Sequence, residues 1–63
     1  MKTVAKINGK DIRGMEFTSI SAAKRWAHSC METRMIILGD GMLWVVRPVD
    51  GNRLIKAGFE LAR

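Results

Sequence analysis

The stretch from Met35 to Val46 constrains this chain more than any other, because two apolar runs meet at Asp40-Gly41, a hairpin signal with a physical cause. A tight type I′ turn needs positive φ at both central positions. Asp40 tolerates that conformation and Gly41 adopts it without steric cost. The turn fixes the register, which places Leu38 opposite Leu43, Ile37 opposite Trp44, Ile36 opposite Val45 and Met35 opposite Val46. A hairpin with one wet side alternates apolar and polar residues, whereas this one is apolar on both faces and needs cover on each. A chain of 63 residues has little material for that. The face carrying Met35, Ile37, Trp44 and Val46 is therefore expected to be an interface, and the chain is expected to form a homodimer.

A second turn signal, Asn8-Gly9, joins Thr3–Ile7 to Lys10–Phe17 and predicts Lys6 opposite Asp11 and Ala5 opposite Ile12. Ala5, Ile7 and Ile12 then share one face while Lys6, Asp11 and Arg13 share the other. Met15 and Phe17 fall out of phase with Ile12, and Gly14 between them is expected to mark a β-bulge that returns them to the core side.

Thr18-Ser19-Ile20-Ser21 offers hydroxyl caps for a helix from Ser19 to Met31, in which Ile20, Ala23, Trp26, Ala27 and Cys30 recur at helical spacing. After Val46, Arg47-Pro48 ends the ladder, and a short helix from Pro48 or Asp50 to Ala57 is expected to bury Leu54 and Ile55, with Gly58 beyond its end and Phe59 as the following apolar contact. Gly51 and Asn52 weaken that helix, and a strand from Arg53 to Leu61 is the alternative. The fold class is α+β: a single small domain over residues 1–63, two antiparallel β-hairpins and two helices in the order ββαββα, with a short strand over Phe59–Ala62 as a further element.

Few residues could carry chemistry. His28 and Cys30 point about 200° apart on a helix and cannot share a centre. The carboxylates are scattered, and those of Asp40 and Asp50 have turn duties. Gly39-Asp40-Gly41 joins two strands, so no helix N-terminus meets an anion there, which removes the phosphate-loop reading. Cys30 is the only cysteine, so an intrachain disulfide is excluded and a reducing, cytoplasmic setting is expected. No apolar run is long enough for a signal peptide or a membrane span. No enzyme, metal, cofactor or membrane association is expected.

Charge supplies the functional lead. Eleven Lys and Arg against six Asp and Glu give a formal charge of +5, which favours anionic partners as well as solubility. Lys24-Arg25-Trp26 sets cations beside an aromatic, although the helical arc places Trp26 with Ala23 and Ala27 in the core. Hairpin register sets Arg34 opposite Arg47, a repulsion that a bound phosphate would relieve or that Asp50 or Glu32 would satisfy, the latter being the preferred explanation. The leading expectation is a small basic non-enzymatic binding module that meets DNA or RNA phosphates through Lys24, Arg25, Arg34, Arg47, Arg53 and Lys56. The alternative is a protein-binding adaptor or inhibitor of a larger enzyme that docks through the apolar second hairpin.

Overall fold

A computed structural model describes residues 1–62. Strands β1 (Lys2–Ile7) and β2 (Lys10–Phe17) form the first hairpin; β3 (Met35–Gly39) and β4 (Met42–Val46) form the second. The two turns take the left-handed conformation their residues permit, with φ of 51° and 79° at Asn8-Gly9 and 47° and 78° at Asp40-Gly41. Every register pair expected for the second hairpin is present, as are Lys6↔Asp11 and Ala5↔Ile12 in the first. The hairpins join side by side through β2 and β4, and a short β5 (Glu60–Leu61) adds to β3, giving one antiparallel sheet in the order β1-β2-β4-β3-β5.

Helix α1 (Ile20–Ser29) connects the hairpins. The Ser19 hydroxyl caps it by accepting from the Ala22 amide at 3.1 Å. It stops short of the expected Met31: the Ser29 hydroxyl and the Cys30 thiol both donate to the Trp26 carbonyl, and Cys30 is already extended. Helix α2 (Pro48–Lys56) takes the place of the alternative strand. Pro48 opens it, and a Schellman motif closes it: Phe59 N–H donates to the Leu54 carbonyl and Gly58 N–H to that of Ile55, with Gly58 at φ 107°. Gly51, which argued against a helix, sits where a Cβ would lie 2.6 Å from Met35 Sδ, so the missing side chain lets α2 lie close on the sheet.

The helices cover opposite faces. Glu16↔Trp44 and Phe17↔Leu43 are successive pairs and therefore point to opposite sides. Trp44 clusters with Ile12, Ile37, Val46 and Leu54, with Phe59 packed against it, which defines the α2 face. Phe17 meets Trp26 of α1 at a ring separation of 6.4 Å, which defines the other. This corrects the expected interface: Ile37, Trp44 and Val46 are buried and Met35 half-buried beneath α2, so they are core, and the apolar surface invoked for a homodimer or for a docked adaptor is already covered.

Three local expectations change as well. β2 runs without a break, so Met15 and Phe17 stay opposite Ile12 and find cover under α1; the bulge lies in β1, at Val4, between the pairs Thr3↔Arg13 and Ala5↔Ile12. Gly14 is needed for closeness instead, since a Cβ there would stand 2.5 Å from the Val45 carbonyl oxygen. Leu54 is buried as expected, but Ile55 is 40% exposed because it lies about 100° further round α2.

Candidate nucleic-acid interface

Beside the C-terminal half of α2 lies a cleft of about 440 Å³ lined by Ile7, Asn8, Lys10, Arg53, Lys56 and Ala57. Its cations come from two elements. Lys10 opens β2 directly opposite Ile7, which puts it on the α2 side of the sheet. Arg53 and Lys56 stand three residues apart on α2 and so project from one helix face. No carboxylate lines the cleft, and among the described residues neither Lys10 nor Lys56 forms an ion pair. Arg53 reaches Asp50 only at 3.9 Å. Cations in the last turn of a helix complement its dipole, which accounts for Arg53 and Lys56 on structural grounds. It does not account for Lys10, which arrives from a separate strand and raises the positive potential of the same hollow.

The remaining expected contacts do not join this cleft. Lys24 and Arg25 are exposed on α1, across the sheet from Arg53 and Lys56. Arg34 and Arg47 lie just beyond the ladder, which ends at Met35↔Val46, and each has its own carboxylate. Arg34 meets Glu32 at 3.7 Å and donates to the Thr33 carbonyl. Arg47 meets the buried Asp50 through Nε and Nη2, both at 3.1 Å from Oδ2. The opposition of these arginines is thus satisfied from within the chain, and the six expected cations form no single surface because the sheet stands between the helices.

Lys10 is the cleft-lining cation that sequence reasoning missed. Its signal was the Asn8-Gly9 turn, which pairs it with Ile7, but only the packing of α2 against that corner shows which cations it meets.

The two tryptophans have different fates. Trp44 is core, and its Nε1 donates to Glu16 Oε2 at 3.1 Å while Lys2 Nζ pairs with Oε1 at 2.9 Å. These bonds from Lys2 and Trp44 hold the Glu16 carboxyl below the usual glutamate range, the Lys2 bond contributing most. Trp26, expected in the core arc, is 37% exposed: it rests against Phe17 and turns its remainder to solvent beside Arg25. His28 is exposed and Cys30 half-buried, and among the described residues no group of His, Cys, Asp and Glu could hold a metal ion. No described helix is long and apolar enough to cross a membrane. The chain matches no protein-family model, no curated protein and no solved structure.

Proposed function

We propose that this chain is a small, basic, non-enzymatic binding module that holds nucleic acid by its backbone phosphates, with Lys10, Arg53 and Lys56 as the primary contact. The observation that carries the reading is the convergence of these three cations, from a strand and a helix, on one cleft without an acidic lining residue. A phosphate there accepts charge-assisted hydrogen bonds from several directions, which the helix dipole alone does not require. Contacts of this kind position a chain on a phosphate backbone without reading bases, so binding is expected to tolerate sequence. Lys24 and Arg25 supply a secondary positive surface on the other face; Arg34 and Arg47, engaged by Glu32 and Asp50, contribute little.

The test is titration of unrelated DNA and RNA at several salt concentrations, with the wild type and a K10Q/R53Q/K56Q variant. Counterion release predicts that the slope of log affinity against log salt shallows by about 0.7 to 0.9 for each phosphate-bound cation that is neutralised. A variant that binds as the wild type does, with the same slope, would overturn the assignment of the cleft.

A further inference from the structure

On the sheet face opposite the cationic cleft, Trp26, Phe17, Ala22, Arg25 and Ser29 line a shallow, mainly apolar groove. We infer that this groove stacks an unpaired nucleobase on Trp26, with Arg25 taking the adjoining phosphate, so that the preferred ligand is single-stranded nucleic acid. The inference rests on the nucleic-acid reading above and adds the strand type and the site for the base.

Trp26 is built as a platform. The indole is braced by Phe17, at a ring separation of 6.4 Å and an interplanar angle of 44°, and Trp26 keeps 37% of its surface open to solvent. The helix beneath is anchored by the fully buried Ala23, whose small side chain draws α1 onto the sheet and leaves the larger Trp26 at the rim. Arg25 is exposed next to it and, among the described residues, neither Arg25 nor Lys24 forms an ion pair, so the charge at the groove is free to meet an anion. An aromatic face with an adjacent guanidinium is complementary to a base with its phosphate, and a base can stack there whatever its identity.

Placement also selects the strand. The groove and the cleft lie on opposite faces of a molecule whose shortest extent is 18 Å. A duplex, with a persistence length of about 50 nm, cannot turn around so small a body, and its bases are already stacked; a flexible single strand can reach both sites.

The experiment compares a short oligothymidylate with an abasic oligonucleotide of equal length and charge, following intrinsic fluorescence and affinity. Trp44 is only 2% exposed, so quenching by a stacked base reports Trp26. Oligothymidylate should quench emission and bind about tenfold more tightly than the abasic strand. Trp26→Leu, which keeps apolar cover over Phe17, should abolish that preference while leaving abasic affinity unchanged, and Trp26→Phe should retain part of it. K10Q/R53Q/K56Q should weaken both ligands alike. Equal affinity for the two strands, absence of quenching, or an equal loss of both in Trp26→Leu would overturn the stacking site; abasic binding that persists in those cases leaves the phosphate reading standing. Failure of both strands to bind the wild type at low salt would sink both.

Discussion

The two faces of this sheet are covered by helices of similar length and to very different effect. Under α2, Trp44, Ile12, Ile37, Val46 and Leu54 are all fully or nearly fully buried, and the chain returns after the Schellman turn so that Phe59 packs on Trp44 at 5.4 Å. Under α1 only Ala23 and Val45 reach that state; Phe17, Ile36 and Leu43 are half-buried and Leu38 is 48% exposed. The difference follows from the residues at the contact. The α2 face combines bulky side chains with glycines at Gly39 and Gly51, where each neighbour sits in the space a Cβ would take. Helix α1 buries only an alanine fully, and its tryptophan is left at the edge. Stability is thus concentrated on one side, and the open aromatic surface lies on the other.

That contrast can be broken most severely at Leu54. Replacing it with Ala removes a fully buried side chain from the α2 cluster and should cost about 3 kcal/mol, lowering the melting temperature by roughly 12 to 24 °C in a chain of this size, whereas Ala23→Gly under α1 should cost about 1 kcal/mol. Thermal and urea unfolding followed by circular dichroism measure both, and equal destabilisation would erase the asymmetry.

Two glycines of the α2 face, Gly39 and Gly51, sharpen the comparison. A Cβ at Gly39 would stand 2.3 Å from the Trp44 ring, which is itself wedged in the core, so Gly39→Ala should cost about 1 to 3 kcal/mol. At Gly51 a Cβ would meet Met35 Sδ at 2.6 Å and the Met35 Cβ at 3.0 Å, a clash that the helix propensity gained by Ala, about 1 kcal/mol, offsets in part, so Gly51→Ala should cost less than Gly39→Ala. Urea midpoints of the two variants should therefore diverge.

A smaller and pH-dependent effect is expected at Glu16, which ties Trp44 and Lys2 together across the α2 face. Its folded-state pKa lies below the ordinary glutamate value of 4.5, so the folded protein binds this proton less readily than the unfolded chain. The resulting stabilisation is present above pH 4.5 and is lost as pH falls through the lowered folded value. Melting curves of the wild type and Glu16→Gln should differ near neutrality and converge on acidification; a constant difference would place the contribution in packing instead.

Much of the fold was legible because its determinants are local. Asn8-Gly9 and Asp40-Gly41 set the turns and, through them, both registers; Ser19 set a helix start and Gly58-Phe59 a helix end. The arrangement of layers was not legible. Whether a short α2 could cover Met35, Ile37, Trp44 and Val46 depends on how near it approaches, and that was decided by Gly51 and by the return of Phe59 rather than by any periodicity. An apolar hairpin therefore read as an interface. The candidate site was half legible for the same reason: Arg53 and Lys56 could be read from helical spacing, but Lys10 joins them only through tertiary packing, and Arg34 and Arg47 were claimed by carboxylates close in sequence.

The central claim is that phosphate enters the hollow between the first hairpin and α2. Mapping amide shift changes by heteronuclear NMR during titration of the uniformly labelled protein with a short abasic oligonucleotide tests it residue by residue. The account predicts saturable shifts concentrated at Ile7–Lys10 and Arg53–Ala57 that vanish in K10Q/R53Q/K56Q. Shifts absent from both segments, or unchanged in that variant, would contradict it.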